Sequence, residues 1–406
     1  MDAFSRFSLW SRNRFVAWIL ALICLEPAIS STITRFLRHR RWFSDWETVI
    51  CAANALKSGH TPYNMHLACP GLDPEPYVYA PQVARLFEAP VTWWGLDGAR
   101  TVGLLLIVPA MAFVIWYVVI RRFRNLPLSA KLLGFAAVRG STLSTGNIGF
   151  AMQALAVGAL LRFKRARWPF IAAVIAGAAI KPIFLANLLV LLVEDRPIFE
   201  RMKTFLIAAA IGLIAVATVL LTAGPLANDW SLMLHQVVLT QQPGIGFAKL
   251  VDAVGLHNDS PLAMGGFVLI AGALTAAVMA IAEWGGLNND ERILLGLGLA
   301  QLINPRLNDY DLYLMYPALA LAAMAVKARD PRLFVRLSWL YVALTLGNVL
   351  AAVAGIKALA HLPATYVGGC ALVILSGAAT AAPHREAIKR TIEQGLNAVG
   401  WQRQQT

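Results

Sequence analysis

The sequence predicts an all-α polytopic membrane protein, and three observations carry that prediction. Hydrophobic residues make up 58% of the chain and charged residues only 14%, against about a quarter charged in an ordinary soluble domain. Apolar runs such as 101–120, 205–221 and 333–354 are long enough to cross a hydrocarbon core of about 30 Å. The basic residues gather in short clusters between those runs, where the positive-inside rule places them. The net charge of +13 therefore describes orientation in a membrane rather than nucleic-acid binding.

The elements follow in order. With Arg6, Arg12 and Arg14 cytoplasmic, a first span over 15–37 exits; it lacks a cleavage-type boundary and is read as retained. An outer segment follows over about 38–98. Within it, Ser44-Asp45-Trp46-Glu47 matches a capping box, with Ser44 at N-cap and Glu47 at N3. The juxtamembrane helix it opens runs to about Ser58, with Gly59 as the stop and one apolar stripe of Trp46, Val49, Ile50 and Ala53. A span over about 99–120 returns to Arg121, Arg122 and Arg124. The stretch 128–161 is too long for one crossing and is interrupted at 139–147, so it goes out and returns to Arg162, Lys164, Arg165 and Arg167.

Residues 168–193 are either one helix with Lys181-Pro182 at its centre or two short helices meeting there. A lysine at mid-membrane costs roughly 3 kcal/mol, and proline breaks a helix interior. Parity agrees: only two short helices return Arg201 and Lys203, then Lys327, Arg329, Arg332 and Arg336, to the inside. Beyond, about 204–222 exits, 223–262 is a second outer segment and 263–284 returns. Residues 292–326 break at the polar knot 304–311, and spans over 333–355 and 363–381 finish the chain. The result is a single domain over 1–382 with about twelve segments, several short or broken, and a basic tail over 383–406, both termini cytoplasmic.

The three breaks carry Arg139, Lys181 and Arg306, and all point outward by parity. Non-helical backbone at membrane depth survives only where it lines protein or a watery cavity, so three cations lining one cavity predict an anionic ligand. Asp45 is the first carboxylate outside the membrane. It reads equally as a first-turn residue favourable to the helix dipole or as a general base, with Asp309 and Asp311 in reserve. Tyr63, Tyr77 and Tyr79 lie in Pro/Tyr-rich segments that fit turn chemistry and interfacial anchoring as well as ligand contact; Trp93-Trp94 fits an interfacial belt. Arg35, Arg38, Arg40 and Arg41 fit either anionic headgroups or a lipid phosphate. Cys51 and Cys69 are either a bridge in an oxidising compartment or two separate thiols. No CxxC pair, metal-ligand spacing, glycine-rich phosphate loop or nucleotide fingerprint occurs, so no metal and no cofactor are predicted.

Taken together, Asp45, Gly59-His-Thr-Pro-Tyr63, Tyr77-Val-Tyr79-Ala-Pro81, Gly146-Asn147, Ile180-Lys181-Pro182 and Asn304-Pro305 resemble glycosyltransferase family 87. This is the membrane GT-C family that includes bacterial polyprenol-phosphate-mannose-dependent α-mannosyltransferases. The resemblance implies a GT-C-like fold in a bacterial inner membrane, a polyprenyl-phosphate sugar as donor, a lipid or glycan acceptor at the outer face, and inversion at the anomeric carbon. It implies Asp45 as base. Arg139, Lys181 and Arg306 are assigned to the donor phosphate, and Tyr63, Tyr77, Tyr79, Asn147, Asn304, Asp309 and Asp311 to the substrate cavity. Asn147 stands where the family often has Gln, and the knot lacks the histidine of mannosyltransferase members, so the sugar is mannose or another hexose or pentose. A transporter or flippase of lipid-linked sugars, and a glycan polymerase or ligase, are the competing classes. Transporters often repeat matching broken helices in two halves; this chain shows no convincing repeat.

Overall fold

The computed structural model describes residues 29–30, 32–33, 36–37, 42–121, 138, 140–241, 244–356, 363–386 and 389–390. Most of the first predicted span lies outside the described residues, as do Arg35, Arg38, Arg40, Arg41, Arg139 and most of the basic tail. Among the described residues every regular element is helical. Four helical stretches, Pro81–Arg121, Ile198–Leu221, Pro261–Trp284 and Ala364–His384, are long and apolar enough to cross a membrane. Shorter apolar helices stand beside them. The architecture is that of an all-helical protein compatible with membrane insertion.

Helix α1 (Ser44–Lys57) buries Trp46, Val49, Ile50 and Ala53 against α2 (Pro81–Ile115). Gly103 of α2 makes this approach feasible, since a Cβ there would fall 1.9 Å from the Trp46 ring. The capping box predicted for α1 does not form. Its N-cap is Phe43, in the left-handed region at φ 73°, and no side chain caps the helix. Instead, the Phe43 and Asp45 N–H groups donate to the backbone carbonyls of Ser144 (2.5 Å) and Thr145 (2.9 Å). Glu47, freed from capping, is fully buried, accepts from the Asp73 N–H at 2.8 Å and faces Arg100 at 2.8 Å. Cys51 and Cys69 are bridged, with Cα atoms 5.8 Å apart, tying α1 to the following loop.

The predicted outer segment 38–98 is less loop-like than its Pro and Tyr content suggested. Pro81 starts α2 at a position where its missing N–H costs nothing, so helix begins well before the predicted span at 99. Gly95, at φ 66°, kinks α2 just after the exposed Trp93 and Trp94. A π-helical turn, Trp116–Arg121, closes it. Then come α3 (Gly140–Ser144) and α4 (Gly149–Leu160).

The two-helix alternative for 168–193 is the one observed. Helix α5 (Trp168–Ile180) ends at Lys181 (φ −141°, ψ 98°), and the chain resumes as a 3-10 stretch, Pro182–Leu189, and α6 (Val190–Val193). Arg167, before α5, pairs with Glu194, after α6, at 3.0 Å. A continuous helix would hold them about 40 Å apart, so the chain doubles back with Lys181 at the tip. A second hairpin joins α11 (Asn289–Leu302), opened by an Asn288/Glu291 capping box, to α12 (Leu312–Arg329), and the knot 304–311 forms its tip.

Helix α7 (Ile198–Leu221) packs on α5, and α10 (Pro261–Trp284) on α14 (Ala364–Ala381), with α13 (Pro331–Val353) flanking. At the end of the bundle away from the two tips, ion pairs bind the helix ends: Glu200 with Arg167 and Arg196, buried Arg201 with Glu283, and Arg292 with Asp195. The second outer segment, 223–262, also differs from a plain loop. It contains α8 (Ala227–Met233), a π-helical stretch (Leu234–Gln241) and α9 (Phe247–Ala253). It folds back on the knot, with the Ile245 and Ala248 N–H groups donating to the Leu307 and Pro305 carbonyls at 2.6 and 2.8 Å.

Candidate active site

The two hairpin tips, the start of α1 and the loop before α2 meet around one cavity of about 420 Å³. Asp45 reaches it because the α1 start is bonded to the Ser144–Thr145 backbone. Gly146 permits that closeness: its φ is +62°, and a Cβ there would fall 2.7 Å from the Phe43 side chain. The next residue, Asn147, donates from Nδ2 to Asp45 Oδ2 at 2.6 Å. Its Oδ1 accepts the Gly149 N–H at 2.7 Å, which leaves the amide nitrogen to face the carboxylate.

Lys181 and Arg306 line the same cavity, each at its hairpin tip. The Lys181 ammonium stands 5.9 Å from the Tyr310 ring centroid, and Asn304 Oδ1 accepts the Arg306 N–H at 3.1 Å, tightening the turn that presents Arg306. Burial pushes the Asp45 carboxyl from 3.8 up to about 6, opposed by the Asn147 hydrogen bond and by the charges of Lys181 and Arg306, while Glu75 adds to the rise. The Asp45 carboxyl is thus mostly ionised at neutral pH, with its pKa brought within reach of proton exchange there. The cavity is amphipathic. Ile180, Pro182, Leu234 and Val237 line it together with the polar residues.

The sequence-predicted residues divide. Asp45, Tyr79, Asn147, Lys181, Asn304 and Arg306 come together at this cavity. Tyr63 and Tyr77 do not line it. They are buried, and their hydroxyls donate to the backbone carbonyls of Tyr79 (2.8 Å) and Ala80 (3.0 Å), so they brace the loop that carries Tyr79. Asp311 lines a smaller adjoining pocket of about 30 Å³, which shares Asn147, Lys181 and Asn304 with the main cavity. The Asp309 side chain, like Arg139, lies outside the described residues.

Four contributors went unread in the sequence. Glu75 faces the cavity as a second carboxylate, its N–H donating to Thr48 Oγ1 at 2.7 Å. Trp230 closes one side, its indole N–H donating to the Val78 carbonyl at 3.1 Å. Tyr310 and Asn308 belong to the polar knot, and their side chains bond each other at 2.8 Å. The knot's polarity was the one available signal. Glu75 and Trp230 sit in segments with no local pattern that marks them.

No protein-family model, curated protein or solved structure matches the chain.

Proposed function

We propose that this protein is an inverting membrane glycosyltransferase that moves a sugar from a polyprenyl-phosphate donor to a lipid or glycan acceptor at the outer face of a bacterial inner membrane. The observation that carries the reading is the convergence of Asp45, held by Asn147, with Lys181 and Arg306 on one amphipathic cavity. The apolar part of the lining suits a lipid chain, and the polar part suits a phosphate and a sugar. The motif resemblance to glycosyltransferase family 87 supports the same reading, as does the topology expected from the sequence, about twelve segments with outward-facing breaks.

The chemistry follows from the residues. The acceptor hydroxyl is a poor nucleophile, so Asp45 takes its proton as the oxygen bonds to the anomeric carbon. The bond from that carbon to the phosphate oxygen breaks, and the electron pair leaves with the polyprenyl phosphate. Lys181 and Arg306 meet the charge that develops on the phosphate. Direct displacement from the opposite face inverts the anomeric centre.

Deleting the gene and profiling lipid-linked sugars and surface glycans tests this. The expected result is an unspent polyprenyl-phosphate sugar together with a glycan lacking one residue, restored by the wild-type chain and not by Asp45→Asn. Unchanged glycans and lipid-linked sugars would contradict the proposal. Lipid-linked sugar accumulating with restoration by Asp45→Asn would favour transport.

A further inference from the structure

A second cavity, of about 440 Å³, lies at the other end of the bundle, and Arg121, Arg162, Lys164 and Arg165 line it. Its placement follows from two helices. Helix α4 begins at the candidate site with Gly149 and ends at this cavity with Leu160, and α11 runs between them from Ile293 to Gln301. Twelve residues of α4 separate the two by about 18 Å.

Two sets of bases stand out at this end. Arg167, Arg196, Arg201 and Arg292 each meet a carboxylate and form the ion pairs that tie the helix ends together. Arg162, Lys164 and Arg165 are exposed and have no ion-pair partner among the described residues. Around the cavity, four cations stand against one carboxylate, Asp290. In a concave site such a surplus focuses positive potential and raises the local concentration of anions.

We infer that this cavity binds the phosphate headgroup of an anionic lipid. Arginine forks and a lysine point charge suit phosphate oxygens, and basic pockets at the cytoplasmic ends of membrane helices take such headgroups. Lipid fits better than free phosphate because the lining is apolar beside the charges: Leu160, Leu161 and Ile293 contribute to it, and Leu161 is 45% exposed. Trp168, just beyond the basic turn, is 71% exposed, as an interfacial anchor would be.

The test is lipid binding by the purified full-length protein, read by native mass spectrometry and thermal stability, with phosphatidylglycerol, phosphatidylcholine and inorganic phosphate as separate arms. Phosphatidylglycerol should be retained and raise Tm, while phosphatidylcholine and millimolar inorganic phosphate should not. Arg162→Gln with Arg165→Gln should weaken phosphatidylglycerol binding about tenfold or more, which is about 1.4 kcal/mol. Lys203→Gln with Arg385→Gln, which removes two exposed bases outside the cavity lining, should leave it unchanged. Equal retention of both lipids, an equal Tm rise from inorganic phosphate, or equal loss in both double variants would overturn the inference. The wild-type arms decide the matter even if the cavity variant fails to insert. None of these readings depends on glycosyl transfer.

Discussion

Asn147 Nδ2 donates to Asp45 Oδ2 at 2.6 Å, joining residues 102 positions apart. The other end of the amide is held by the Gly149 N–H at the start of α4, so Asn147 couples the orientation of Asp45 to a helix terminus. That bond also favours the charged carboxylate and offsets part of the burial that disfavours it. Asn147→Ala should therefore raise the Asp45 pKa above about 6 and move the acidic limb of the pH–rate profile upward. Turnover at neutral pH should fall on the order of tenfold, as expected for a base made less available and less well oriented. An unmoved acidic limb would show that Asn147 does not tune Asp45.

Asp45 is also a source of instability at neutral pH. Its folded pKa of about 6 stands above the ordinary 3.8, so protonation favours the folded state. This contribution is fully present below 3.8 and is lost as pH rises through about 6. The size is roughly 3 kcal/mol. Asp45→Asn, which has no charge to bury, should be more thermostable than the wild type at pH 7.5, and the gap should close as pH falls towards 4. Thermal unfolding of both proteins across that range checks the sign. A gap that widens on acidification would contradict it.

Lys181 occupies a hairpin tip whose backbone geometry comes from the proline that follows, not from its own side chain. Lys181→Met should accordingly leave the fold intact. It should weaken binding of a polyprenyl-phosphate sugar by on the order of ten- to a hundredfold, the worth of one charged hydrogen bond. Lys181→Arg should recover part of the loss. Titration of purified variants with the lipid-linked donor distinguishes this from a folding defect, since a purely structural lysine would lower Tm without changing donor affinity.

Glu47 and Arg100 make a structural contrast with the site. Glu47 is fully buried, and Arg100 Nε faces it at 2.8 Å without the alignment of a hydrogen bond, so the contact is coulombic. Removing one partner of a buried pair leaves an uncompensated charge and costs about 3–5 kcal/mol. Arg100 is partly exposed, which places Arg100→Ala at or below the lower end. The variant should lower Tm while the turnover of the folded fraction stays close to that of the wild type.

The sequence announced the features that are locally improbable. A lysine followed by proline inside an apolar stretch is hard to accommodate in a single helix, so the tip at Lys181 could be read directly. The crowding of Asn304, Asn308 and Asp311 between two apolar segments announced the second tip in the same way. What stayed hidden depends on partners distant in the chain. Ser44 and Glu47 match a capping box by spacing, yet Phe43 takes the cap because its N–H finds the Ser144 carbonyl. Tyr63 and Tyr77 look like ligand contacts until their hydroxyls are seen bonded to the Tyr79 and Ala80 carbonyls. Glu75 and Trp230 carry no periodicity or motif, and only the folding of their loops places them at the cavity.

The proposed chemistry turns on Asp45 taking the acceptor's proton. Its most direct test is the release of polyprenyl phosphate by purified protein in lipid nanodiscs, supplied with a panel of polyprenyl-phosphate sugars and a membrane extract as acceptor. The wild type should discharge at least one donor. Asp45→Asn, with donor binding preserved and Tm no lower than the wild type's, should do so at least about a hundredfold more slowly, the lower end for lost general-base catalysis. Near-normal turnover by Asp45→Asn would contradict the account.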